Sequence, residues 1–197
     1  MIEPGERADA GAVARLHFAH IDQGFLRSLG VDFLIVLYEY ISEHELLFVA
    51  REQGEVKGFI SASTGTSSMM KRFVIKKFLR VTPTLAKLLF SPNLIPKVLE
   101  TLFSPGKTEA SVSSLGRVPE LLSIVIAPEF RGSPISQELL AALEATLRAL
   151  GHTQYKVVAG ASLAAANAYY RKHGFVLAGT VTIHRGETSK VYLKTLS

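Results

Sequence analysis

Residues 120–140 read ELLSIVIAPEFRGSPISQELL, and the reading of this stretch decides the fold. Leu121–Ile126 is an apolar run rich in β-branched residues, the pattern of a strand covered on both faces. Pro128 ends the run, and Arg131-Gly132 opens a short loop. Ser133 and Pro134 then predict a helix start, with Ser as N-cap and Pro at the first helical position, where its missing N–H needs no partner. Leu139, Leu140, Leu143 and Leu147 recur at helical spacing and supply the face that such a helix buries. A strand, a tight loop and a helix N-terminus make a cradle for an anion, because free backbone N–H groups and the helix dipole converge on the loop. The same unit also serves as a plain βα connection, so local features leave a phosphate site and a structural turn both open.

On the N-terminal side, Met1–Pro4 reads as a short strand, and Asp9 as the N-cap of a helix carrying Val13, Leu16 and His17. A second helical pattern runs from Phe25 through Leu29, Phe33, Leu37 and Ile41, broken from the first by Gly24 and Gly30. Glu45–Arg51 and Val56–Thr64 predict a hairpin turning at Gln53-Gly54. Met69–Arg80 has helical composition. Pro83, Pro92, Pro96 and Pro105 divide the next stretch into two further predicted helices near Thr84–Phe90 and Leu94–Phe103. On the C-terminal side, Gly151 stops the helix and Thr153–Ala159 reads as a strand. Ser162–Lys172 reads as a helix ending at His173-Gly174, and Phe175–Ile183 with Thr188–Leu196 as a closing hairpin. This order predicts a mixed α/β (α+β) fold: a largely antiparallel sheet flanked by helices, with one local parallel crossover. It forms a single domain over 1–197, with a basic helical insert at about 66–111.

The chain has 197 residues, enough for one domain with a sizeable core. It has no cysteine, which excludes disulfides, thiolate metal sites and a cysteine nucleophile. Its six histidines show no metal-ligand spacing, so no metal is expected. The N-terminus lacks a basic region followed by an apolar core, and no apolar run reaches the roughly 18–20 residues of a membrane span, so a cytoplasmic protein is expected. The net charge of +5 is concentrated: residues 66–110 hold eight Lys/Arg against two acids, while the remainder holds fourteen against fifteen. Basicity confined to one segment does not imply a nucleic-acid partner for the whole surface.

Two stretches together resemble the GNAT superfamily of acetyl-CoA-dependent N-acetyltransferases. Ile126-Ala127-Pro128-Glu129-Phe130-Arg131-Gly132-Ser133-Pro134-Ile135-Ser136 is similar to that family's acetyl-CoA pyrophosphate loop. Ala166-Asn167-Ala168-Tyr169-Tyr170-Arg171-Lys172-His173-Gly174-Phe175, about 40 residues on, is similar to its later cofactor motif. The resemblance implies a GNAT-like central sheet and assigns cofactor contacts to Ile124, Val125 and Ile126 on the strand. It adds Arg131, Gly132, Ser133, Ile135 and Ser136 in the loop, with backbone N–H groups from all five, and Asn167 and Tyr170 on the later helix. The match departs from the pattern at Pro134, which stands where the loop has its first glycine, at Ser136, which stands where it has Gly or Ala, and at Leu163, which stands where the second motif opens with Asn.

The same resemblance implies the chemistry: acetyl transfer from acetyl-CoA to a primary amine of a small or carrier-linked acceptor by direct attack. Such a transfer needs a deprotonated amine, a polarised carbonyl and a proton for the departing thiolate. Splayed central strands would let a backbone N–H near Ser123–Val125 polarise the carbonyl. Tyr170 takes the position facing the CoA sulfur, as general acid, and Glu120 is the candidate base, since burial at the start of the strand raises a carboxyl pKa. His17 and His20 on the first helix are weaker candidates for the acceptor cleft. A second reading is a non-catalytic acyl-CoA-binding or membrane-surface-associated module of the same fold, favoured by Pro134, Ser136, Leu163 and the basic segment's fit to an anionic bilayer. A homodimer is compatible with either reading.

Overall fold

The computed structural model describes residues 1–21, 25–64, 69–82, 107–108, 118–183 and 187–196. Eight strands form one sheet: β1 (Ile2–Pro4), β2 (Leu46–Glu52), β3 (Glu55–Ser63), β4 (Lys107–Thr108), β5 (Glu120–Ile126), β6 (Gln154–Gly160), β7 (Val176–Ile183) and β8 (Glu187–Thr195). Their spatial order is β1-β2-β3-β5-β6-β8-β7-β4, and every neighbouring pair is antiparallel except β5 with β6. Among the described residues they are accompanied by α1 (Ala10–His20), α2 (Gly30–His44), α3 (Met69–Lys76), α4 (Ile135–Ala149) and α5 (Ala164–Lys172), and residues 78–82 after α3 are helical as well. The mixed fold read from the sequence is therefore present. The short β4 has no sequence signal: it returns from the insert to the free edge of β7, pairing Lys107 with Thr182. The helices expected near 84–90 and 94–103 lie outside the described residues.

Local chemistry explains most element ends. Gln53 and Gly54 both have positive φ, 51° and 82°, which gives the tight turn that lets β2 and β3 keep their right-handed twist. Asp9 precedes α1 but does not cap it. Its carboxylate accepts the Glu6 N–H at 2.9 Å and an Arg51 N–H at 2.5 Å, so it closes the turn before the helix and ties it to β2. At the other motif, α4 starts one residue later than expected, with Pro134 in the N-cap position. Ser133 Oγ donates to the Phe130 carbonyl at 2.6 Å and accepts the Ile135 N–H only at 3.4 Å.

The sheet separates two apolar layers. On one face α1, α2 and α3 bury Val13, Phe33, Leu37, Phe59 and Phe73; on the other, α4 and α5 bury Ile60, Leu121, Leu139, Leu143 and Tyr155. Phe73 anchors the insert helix, with its ring edge-on to Phe33 and Tyr40 at centroid distances of 5.4 and 5.5 Å. Burying a ring of this size contributes about 2–3 kcal/mol. The basic residues of α3 and the helical turn after it do not form a free positive face. Arg72 pairs with Glu45 at 2.7 Å, Lys77 with Glu43 at 2.8 Å, and Arg80 with Glu39, so the insert helix is pinned along α2.

The sheet opens at its centre. β5 and β6 pair only through Glu120–Lys156 and Leu121–Val157, and no ladder joins them beyond. Where the ladder ends, β5 carries an extra residue against β3: Ser61 faces Ser123, but Ala62 faces Leu121, leaving Leu122 unopposed. A bulge of this kind bends its strand and interrupts pairing.

Candidate active site

A cavity of about 390 Å³ occupies the opening between β5 and the helices. Its walls are His20 and Ile21 at the end of α1, Ile124–Ile126 on β5, Phe130–Ser133 with Ser136 at the loop, and Ala165, Ala166, Tyr169 and Tyr170 on α5. The Ala127 N–H donates to the Lys57 carbonyl of β3 at 2.8 Å. Because amides alternate sides along a strand, Val125 also points to β3, while the N–H groups of Ile124 and Ile126 point into the opening that β6 has left.

The loop residues read from the sequence do meet here, but with fewer donors than the motif implies. The Arg131 N–H donates to the Pro128 carbonyl and the Ser133 N–H to the Phe130 carbonyl, both at 3.2 Å, and the Ile135 N–H leans on Ser133 Oγ. Among the described residues, the N–H groups of Gly132 and Ser136 have no acceptor. Gly132 has φ +86°, and a Cβ placed on it would meet nothing within 4 Å, so the loop backbone is open to a ligand there. Arg131 adds a cation at the same edge. Ile135 does not line the cavity; its side chain packs into the layer under α4.

Tyr169 and Tyr170 divide their roles. The Tyr169 hydroxyl donates to the Ser136 carbonyl at 3.2 Å, which ties α5 to the first turn of α4. Tyr170 is 7% exposed, with its ring edge-on to Phe175 at 5.3 Å and to Tyr169 at 5.6 Å. Its hydroxyl makes no hydrogen bond to a described residue, and burial pushes its pKa up, so the phenol stays protonated beside the cavity.

Asn167 is buried but does not face the cavity. Its amide donates to the Gly160 carbonyl at 2.9 Å and the Leu163 carbonyl at 2.6 Å, and accepts the Tyr192 hydroxyl at 2.9 Å. Glu120 lies at the still-paired end of β5, outside the cavity wall, 3.5 Å from Lys156 Nζ. Its surroundings are close-packed although 36% of its side-chain surface stays open; desolvation raises its pKa and the Lys156 ammonium opposes this.

The two histidines of α1 separate. His20 lines the cavity, whereas His17 is 3% exposed and its Nδ1 lies 2.7 Å from the Tyr38 hydroxyl. Burial lowers the His17 pKa to about 4. Because that lies below the unfolded value of about 6.5, the folded state loses stability as pH falls through this window, by about 2 kcal/mol between pH 7 and 5. Urea titrations at the two pH values check this: wild type shows the drop, and His17→Gln lacks most of it. The sequence offered little sign of Phe130, Ala165 and Ala166 as cavity walls; only the run of small residues after Leu163 hinted that something approaches α5 closely. Among the described residues no cluster of His, Asp and Glu could hold a metal ion.

The family model described as "Acetyltransferase (GNAT) domain" matches residues 105–177, which include β5, the loop, α4, β6 and α5. Solved structures with the same fold span the chain. An N-acetyltransferase from Staphylococcus aureus Mu50 is 19% identical with a TM-score of 0.63, covering 100% of this chain and 98% of its own. The ribosomal-protein-S18-alanine N-acetyltransferase of Escherichia coli is 15% identical with a TM-score of 0.59, covering 100% and 94%. A putative acetyltransferase from Salmonella typhimurium, solved with its cofactor acetyl-CoA, is 15% identical with a TM-score of 0.61 over 100% and 94%. No curated protein matches the sequence.

Proposed function

We propose that this chain, which has the GNAT fold and the matched GNAT domain, is an N-acetyltransferase that moves an acetyl group from acetyl-CoA to a primary amine. The observation that supports this most directly is the parting of β5 from β6 beside Tyr170, which turns the Ile124 and Ile126 N–H groups towards one cavity. The residues present fit acetyl-CoA. Gly132 and Ser136 offer N–H groups to the pyrophosphate, Arg131 offers charge, and the N–H groups of Ile124 and Ile126 are donors for a thioester carbonyl. The amine nitrogen bonds to the carbonyl carbon as the C–S bond breaks. Tyr170 gives its proton to the departing sulfur, and a base takes the proton that the nitrogen loses. Glu120 is the carboxyl whose raised pKa suits that second role, acting through water because it lies outside the cavity wall. His20 and Ile21 bound the side from which an amine would enter.

A membrane-surface role is a second reading with its own observation. Ile75, Phe78 and Leu79, on α3 and the turn after it, are 76%, 56% and 85% exposed, while the basic residues beside them are held against α2. Calorimetry with acetyl-CoA and sedimentation with anionic vesicles test the pair. Saturable acetyl-CoA binding, together with transfer to some member of a panel of polyamines, amino sugars and peptide amines, is expected. Vesicle binding with no acetyl-CoA signal would replace the enzyme with the membrane module.

A further inference from the structure

The opening of the sheet is held by a buried polar string that the mechanism above does not use. Leu121 packs with the α4 layer and Leu122 with the α1–α2 layer, as strand alternation requires. Ser123 should then return to the α4 side, yet it sits opposite Ser61 on the α2 side, with its hydroxyl beside that of Tyr38 of α2. Two successive residues therefore face α2, and the alternation resumes with Ile124 in the α4 layer and Val125 in the other. This is the bulge, and the Tyr38 hydroxyl is the group that meets it. Tyr38 is 1% exposed, and its oxygen lies 2.7 Å from His17 Nδ1. With His17 neutral, the tautomer protonated at Nε2 lets Tyr38 donate to Nδ1 and accept from Ser123. Ser61, opposite Ser123 on β3, abuts the same hydroxyl, but its Oγ is sealed without an aligned hydrogen bond. A sealed hydroxyl costs about 1–3 kcal/mol, so this corner of the core is polar at a cost in stability.

We infer that Tyr38 is a positioning residue, which pins the β5 bulge through Ser123 and so aims the Ile124 N–H into the cavity where the strands part. The ladder to β6 ends at Leu121, the bulged residue is next, and Ser123 is the residue whose direction fixes that of the following amide. His17 keeps the Tyr38 hydroxyl turned towards Ser123. Without the Tyr38 contact, Ser123 is free to rotate towards the alternating position, and the Ile124 amide turns with it. A preorganised donor acts on a developing oxyanion only when its direction is fixed beforehand.

This inference rests on the proposed acetyl transfer, and its test needs only acetyl-CoA. Infrared difference spectra of acetyl-CoA labelled with ¹³C at the carbonyl, bound to wild type, are expected to show the thioester band moved to lower frequency by the Ile124 donor. In Tyr38→Phe, which keeps the ring and loses the hydroxyl, the band is expected to return most of the way to its frequency in water, while the Kd for acetyl-CoA changes less than about threefold. Ser123→Ala, which removes no core ring, should reproduce the return and decides the matter if Tyr38→Phe does not fold. A band that stays shifted in the folded variants overturns the positioning role alone, whatever happens to their melting temperatures. An unshifted band in wild type overturns both this inference and the reading of the cavity on which it rests.

Discussion

Tyr170→Phe is expected to lower turnover by about 10²–10³-fold while the Kd for acetyl-CoA stays within about twofold. The phenyl ring remains, so the contacts to Phe175, Tyr169 and Tyr192 that seat it in the core are kept and the fold changes little. Only the hydroxyl disappears, and no described residue hydrogen-bonds it, so its removal orphans no partner. Its loss bears on the step in which sulfur leaves. A thiolate departs more easily when a donor is already in place, and burial keeps the Tyr170 phenol protonated throughout the neutral range. The assay is direct because the chain has no cysteine: a thiol reagent counts released CoA without background from the protein. Turnover and affinity both unchanged would remove Tyr170 from the chemistry and leave it, like Tyr169, a core ring at a helix end. Tyr169→Phe is the matched control, since its hydroxyl is engaged with the Ser136 carbonyl and its loss should loosen the loop rather than slow the departure of sulfur.

The range of each interaction decided how legible it was in the sequence. Pro128, Gly132, Ser133 and Pro134 act within a few residues of themselves, so the strand, the turn and the start of α4 could be placed to within one residue. The bulge could not. Leu-Leu-Ser-Ile-Val-Ile has the same composition whether it alternates regularly or doubles up at Leu122 and Ser123, and only the register against β3 distinguishes the two. The donors of the loop were overcounted for the opposite reason. The turn at Pro128–Phe130 satisfies the Arg131 and Ser133 amides locally, and a motif seen as letters does not show which N–H groups its own fold has already used. The basic insert misled in a third way. Arg72, Lys77 and Arg80 look like a free cationic face until α2 and the residue after it present Glu39, Glu43 and Glu45 to them from 27 to 41 residues away.

Asn167 braces the elements around the cavity without facing it, and substitution there should cost the most stability. Its amide holds the end of β6 and the turn into α5 from one side and the Tyr192 hydroxyl of β8 from the other, all with the side chain 3% exposed. The pairing fixes which end of the amide is which, since two carbonyl oxygens can only face the nitrogen. Asn167→Asp keeps the shape and exchanges that donor for an oxygen, so at pH 7 a carboxylate would confront the Gly160 and Leu163 carbonyls. A buried carboxylate that keeps only the Tyr192 hydroxyl as donor and turns its other oxygen on two carbonyls costs about 3–5 kcal/mol. The new carboxyl escapes by taking up a proton, which raises its folded pKa above the unfolded value of about 3.9. Its sign is then opposite to that of His17. The protonated form can donate once, so the gap between variant and wild type is widest at pH 7 and narrows as pH falls, while the loss caused by His17 is common to both proteins and cancels. Urea melts of the pair at pH 7 and pH 5 measure the gap. A loss below about 1 kcal/mol at pH 7, or a gap that does not narrow, would mean that the amide is not what joins β6, α5 and β8. If it does join them, Tyr170, one helical turn further on, stands where it does because Asn167 fixes the start of its helix.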